Sequence, residues 1–251
     1  MKKIILFPIV VIGLILLQSL VVRDDVPDAK FIELAKQYPQ IAHFAMGEGT
    51  VIDSSWILTV GHIGRDLKRD ITNGRNTAVT CNGKKYDLEK VIVHPDFDDT
   101  PRGVVNDIAL VKIKGSIKDI VPGNIYRDKK ETGMDITIVG MGDIGTGLKG
   151  PKVWDKITRA ATNKIDGADS LWIHFTFDAP GSANVTKLEG VSGPGDSGGP
   201  AFFEVNSKRY IVGISSHQRS TNGKGRYGAV EYYTRVSTFY NWILQSMKEK
   251  S

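Results

Sequence analysis

What most limits the fold of this chain is its punctuation. Short apolar or alternating runs recur, each closed off by Gly, Asn, Asp or Pro: WILTV (56–60), VIV (91–93), DIALVKI (107–113), DITIVG (135–140), LWIHFTF (171–177), AFFEV (201–205), YIVGI (210–214) and YYTRV (232–236). Runs this short, so often interrupted, suit strands and are too brief for helices. No strand–helix–strand rhythm runs through them, which argues against a parallel α/β sheet and for an all-β barrel or sandwich. Two helices are expected. One covers Asp28 to Gln37, and one closes the chain, where Tyr240, Ile243, Leu244 and Met247 share one face and should pack on the core. The stretch from Ile117 to Gly133, poor in apolar residues and holding Pro122 and Gly123, reads as a linker between two halves of similar size.

Composition narrows the function. The 251 residues suffice for one large or two small domains, and 41% hydrophobic with 24% charged residues is globular. The net charge of +5 is spread among acids with no basic block, so no nucleic-acid partner is expected. A single cysteine, Cys81, excludes an internal disulfide and a multi-cysteine metal site. H-E-x-x-H is absent, and DFDD (96–99) reads as a solvated acidic loop rather than a calcium site, so neither metal nor cofactor is expected. At the N-terminus, Lys2 and Lys3 precede the apolar run of residues 4–22. Residues 1–25 are read as a signal peptide or an uncleaved membrane anchor, with the basic end in the cytoplasm and residues 26–251 exported. An exported, monomeric protein with one cysteine fits a bacterial envelope enzyme.

The chemistry centres on GPGDSGGP (193–200), where Asp196 and Ser197 sit among residues too small to pack. Glycine lets a second group approach the backbone closely. A serine hydroxyl attacks only if a base takes its proton, and the base needs an acid to orient it. Among five histidines, His62 ends the run WILTVGHIG between Gly61 and Gly64, where a side chain can face a cleft. Asp107 in NDIALVKI leads into an apolar strand, so its carboxylate should be partly buried and in need of a partner, which His62 would supply. His43, His94 and His174 are read as structural or exposed. GDSGG also matches the G-x-S-x-G nucleophile elbow, but that motif lies between a strand and a helix. Here VSGPG precedes it, a strand-like AFFEV follows, and His217 is the only histidine downstream.

LTVGHIG, NDIAL and GPGDSGGP, in that order, resemble the three signature regions of trypsin-like, chymotrypsin-fold serine proteases. SSWILT, VIVHPDF, VGMG and YYTRVSTFYNWI are similar to further segments of that family, so the likeness runs from about Pro39 to Met247. It implies two packed six-stranded antiparallel β-barrels with a C-terminal helix, and hydrolysis of a polypeptide substrate through an acyl-enzyme. By the same resemblance Ser197 is the nucleophile, His62 the base and then acid, and Asp107 the orienting carboxylate. The N–H groups of Gly195 and Ser197 form the oxyanion hole. Asp196 anchors the turn through an ion pair. Val191, Ser216, His217, Gln218 and Glu231 fall around the specificity pocket, and Glu231 would favour Lys or Arg before the scissile bond. Two features depart from the pattern. Cysteine is missing after His62, which only removes a disulfide. The expected activation cleavage site is missing between Arg23 and Pro39, which leaves room for a latent protein or for a family member that binds without catalysis.

Overall fold

The computed structural model describes residues 20–75, 77–100 and 103–248. The first half is a closed barrel of six strands in the order Ile41–Phe44, Gly47–Val51, Trp56–Thr59, Ala109–Ile113, Lys84–Val93 and Ala78–Cys81, with the last pairing back to the first. Closure removes every free edge. Val51, Ile57, Leu58, Leu110 and Val111 are fully buried, packed on one face or the other of the barrel wall. Each contributes about 1.5–3 kcal/mol by leaving water.

The second half differs from the expected second six-stranded barrel. It is an eight-stranded sheet running Arg159–Lys164, Asp135–Gly140, Pro200–Val205, Lys208–Arg219, Val230–Arg235, Trp172–Thr176 and Gly167–Ala168, with Asn124–Ile125 alongside Lys208–Arg219. No ladder joins Arg159–Lys164 to Trp172–Thr176, so the ring stays open in hydrogen-bonding terms. A side chain bridges the gap: Asn163 Nδ2 donates to the carbonyls of Thr176 and Gly190, both at 3.0 Å. The stretch 117–133 bonds to both halves. Gly123 N donates to Val51 O at 2.9 Å, and Tyr126 N to Ile211 O at 3.1 Å.

Among the described residues, three α-helices decorate this frame. Helix α1, Asp28–Ala35, lies close to the predicted range and is tied to the second half by Arg159, which is 1% exposed. Its guanidinium takes Asp28 in a two-pronged pair at 2.6 and 2.7 Å and also holds Asp155. Helix α2, Gly61–Thr72, has no counterpart among the sequence expectations. Helix α3, Tyr240–Lys248, is as expected at the C-terminus, but its stripe is rotated: Ile243 and Ser246 face inward and Leu244 is 36% exposed. Among the described residues no helix is long and apolar enough to cross a membrane.

The described residues begin within the N-terminal apolar run. Most of the apolar run, residues 4–19, lies outside the described residues. Its end does not belong with it: Leu20, Val21 and Val22 are buried in the core of the second half. Val21–Val22 forms a strand between Ile144–Thr146 and Gly190–Val191. Three apolar residues that read as the tail of a membrane segment instead satisfy a sheet edge.

Candidate active site

Asp107 precedes the barrel strand Ala109–Ile113 and is fully buried. Its carboxylate receives three kinds of donor. His62 N donates to Oδ1 at 2.9 Å, His62 Nδ1 lies 3.0 Å from Oδ2, and Ser216 Oγ donates to Oδ2 at 2.6 Å. The backbone bond has its own logic. His62 is the second residue of α2, where helix N–H groups lack intrahelical partners and the dipole favours an anion. Burial works against the Asp107 charge, yet the donors from His62 and Ser216 outweigh it and hold the carboxyl below its ordinary value. With Nδ1–H spent on Asp107, Nε2 of His62 is left as the proton acceptor.

Ser197 is half-buried in the turn before the strand Pro200–Val205. That turn is fixed from three sides. Glu48 N donates to Ser197 O at 2.7 Å, Gly198 N to Ser215 O at 2.8 Å, and Gly199 N to Asp196 O at 2.8 Å. Gly195 and Gly198 have φ of +97° and +88°, a region that side chains rarely enter. At Gly198 a Cβ would also stand 2.1 Å from Glu48 O. Among the described residues, the N–H groups of Gly195 and Ser197 have no hydrogen-bond partner, and neither does the Ser197 hydroxyl. The structure thus joins His62 to Asp107 directly, but draws no hydrogen bond from Ser197 to His62.

Asp196 is 1% exposed and held by amides, not by the ion pair expected of it: Gly142 N donates to Oδ1 at 2.6 Å and Gly193 N to Oδ2 at 2.7 Å. No Lys or Arg contacts it among the described residues. Burial, with the nearby Glu48, pushes its carboxyl well above the ordinary range.

A cavity of about 240 Å³ opens beside Ser197, walled by Ser192, Ser216, His217, Gln218 and Glu231. His217 lies flat against Tyr232, with ring centres 4.9 Å apart, and edge-on to Trp172. Glu231 is 1% exposed, and burial pushes its carboxyl up to about 8. Gln218 spans the cavity wall: Nε2 donates to Glu231 Oε1, and Oε1 accepts Gly225 N at 2.7 Å. Val191 is not on that wall. It is fully buried and pairs with Val21. Sequence reasoning missed Glu48 altogether and gave Ser216 a place on the pocket wall without its bond to Asp107. No local pattern marks either contact, because each joins segments far apart in the chain. Among the described residues there is no cluster fit to hold a metal ion.

Comparison with known proteins places these residues in a family. The trypsin family model matches residues 33–243. The chain is 27% identical over 232 residues to complement C1s subcomponent of Sus scrofa, covering 81% of this chain and 32% of that protein. It is 27% identical to melanization protease 1 of Drosophila melanogaster, with 79% and 54% covered, and 28% identical to phenoloxidase-activating factor 3 of Holotrichia diomphalia, with 79% and 59% covered. The chain spans less than two thirds of the length of each of these relatives. With the match extending over both halves of the fold, the chain belongs to the trypsin family.

Proposed function

We propose that this protein is an exported serine endopeptidase. Ser197 attacks the peptide carbonyl, and His62 Nε2 takes its proton and then delivers it to the leaving amine. Asp107 holds the imidazole and stabilises its charge. The amides of Gly195 and Ser197 receive the oxyanion; a donor of this kind lowers the barrier by about 3 kcal/mol. The observation that carries the reading is the buried Asp107 with three donors on it, two of them from His62, beside a serine turn that leaves two N–H groups free. The reaction needs no cofactor. Glu231 in the cavity wall supports a substrate with Lys or Arg, or a polar residue, before the scissile bond. The test is labelling with a fluorophosphonate: the active-site serine should be modified in the native protein and not in Ser197→Ala. Folded protein that stays unlabelled both before and after N-terminal processing would refute the assignment and favour a binding module.

A second reading, latency before processing, is favoured by one observation: Asp196 lacks the ion pair that the family resemblance leads one to expect. Val21 pairs with Val191 and Gly145, so the preceding residue, Leu20, falls in register with Ser192 and Ile144, close along the chain to the Gly193 and Gly142 amides that hold Asp196. Removing the leader at the Ser19–Leu20 bond would free an α-ammonium at that spot and complete the anchor. The expected mature N-terminus by mass spectrometry is Leu20, with labelling confined to the cut form. A mature chain starting elsewhere with full activity would refute this route.

A further inference from the structure

We propose that Glu48 is a positioning residue for the Ser197 turn, acting as a neutral acid beside the Asp196 carboxylate. The proposal rests on the reading of Ser197 as nucleophile.

Glu48 lies in the barrel strand Gly47–Val51 and is 2% exposed. It grips the turn with its backbone and the neighbouring loop with its side chain. Its N–H donates to Ser197 O at 2.7 Å, its C=O accepts Thr59 Oγ1 at 2.5 Å, and its Oε1 accepts Met141 N at 2.5 Å. Oε2 is fully buried and has no partner. That oxygen and the Asp196 carboxyl both border Gly140. A Cβ placed on Gly140 would stand 3.2 Å from Glu48 Oε2 and 2.2 Å from Asp196 Oδ1, so both carboxyls crowd one point.

The groups around this pair supply no cation among the described residues. From the strand Ile41–Phe44, His43 brings Nδ1 to 3.3 Å from Glu48 Oε1, but burial pushes its pKa down to about 4 and keeps it neutral. Asp143, next along from Gly142, is another acid, raised by burial to about 7. From the strand Val230–Arg235, Glu231 and Tyr233 add only acidic groups to the field of Asp196. Two ionised carboxylates side by side in a dry interior repel too strongly to coexist, so one keeps its proton. Asp196 accepts two amide donors and Glu48 one, so the negative charge settles on Asp196 and the proton on Glu48. Burial drives both carboxyls well above their ordinary values, so it is the number of donors, two on Asp196 against one on Glu48, that sets this division.

The arrangement gives the turn a condition. While Glu48 is neutral, Asp196 stays between Gly142 and Gly193, and the Gly195 and Ser197 amides keep their aim. When Glu48 ionises at alkaline pH, repulsion drives Asp196 off its donors and the oxyanion site is lost.

The test compares native protein with Glu48→Gln and Glu48→Ala. Infrared difference spectra, native minus Glu48→Gln, should contain the carbonyl stretch of a protonated carboxyl at neutral pH; the subtraction removes Glu189 and Glu231, which burial also raises. Glu48→Gln, still uncharged and still a donor, should keep kcat within about threefold and move the alkaline limb of the pH–rate profile upward by about a unit or more. Glu48→Ala should lower kcat about tenfold or more with little change in KM. Should Glu48→Gln fail to fold, Asp196→Asn replaces it: with that charge gone, the protonated-glutamate band of Glu48 should titrate at lower pH. No such band, or equal losses in Gln and Ala variants with an unmoved alkaline limb, overturns the proposal. The infrared reading does not depend on turnover. Absent labelling at Ser197 therefore refutes the nucleophile, while an absent band in active protein refutes Glu48.

Discussion

Replacing Glu231 by Gln keeps the shape of the cavity wall and removes one titratable charge. The carboxyl is buried and titrates near about 8, so at pH 7 it is ionised in about one molecule in ten and at pH 9 in nearly all. A Lys ammonium entering the cavity needs the ionised form. Its kcat/KM should therefore rise about tenfold between pH 7 and pH 9, at 1.36 kcal/mol per unit of pH below the midpoint. Attraction between charges about 4 Å apart is about 4 kcal/mol at an effective dielectric of 20, and desolvation takes back part of it. A net contribution of about 1.5–3 kcal/mol corresponds to a loss of about ten- to a hundredfold towards Lys in Glu231→Gln. The assay is a matched pair of peptides, with Lys or norleucine before the scissile bond, followed across pH 6 to 9. Their ratio cancels any pH dependence that both share, including that of His62. In native protein the Lys:norleucine ratio should climb through about pH 8, and in Glu231→Gln it should be low and flat. A native ratio that ignores pH, or a variant with undiminished preference for Lys, would refute the reasoning.

Other outcomes follow from named contacts. Ser216→Ala deletes a 2.6 Å donor to the buried Asp107 carboxylate and should cost about 1.5–3 kcal/mol of stability at neutral pH by urea unfolding. That term has a definite sign: Asp107 titrates below its ordinary value in the fold, so its contribution is present above about pH 4 and fades as pH falls through the lowered pKa. A variant no less stable at pH 7 would contradict it. Gly198→Ala would force a side chain into φ of +88° and against Glu48 O; labelling of Ser197 should drop about a hundredfold or more while the fold melts cooperatively. Arg159→Leu should lower stability by about 1–3 kcal/mol, since Asp28 and Asp155 lose their partner but keep access to water, and amide exchange in α1 should accelerate most.

Several things were legible in the residues alone because they depend on near neighbours. Short apolar runs between turn formers can only be strands, and those at 56–60, 107–113, 135–140 and 201–205 recur in the fold as Trp56–Thr59, Ala109–Ile113, Asp135–Gly140 and Pro200–Val205. The glycines of GPGDSGGP marked a backbone that another group could approach closely, and at Gly198 a Cβ would stand 2.1 Å from Glu48 O. The Asp107–His62 partnership followed from an acid leading into an apolar strand that had to find a donor. Other features depended on which distant surfaces came together. His62 opens a helix rather than ending a strand, because Asp107, 45 residues away, caps that helix. Leu20–Val22 looks like the end of a membrane segment until Gly145 and Val191 flank it in a sheet. The unpartnered oxygen of Glu48 and the amide of Gln218 over Glu231 are likewise tertiary facts. Hydrophobic period and backbone angle act within a few residues, whereas the charge state of a buried acid is set by whatever the folded chain packs around it.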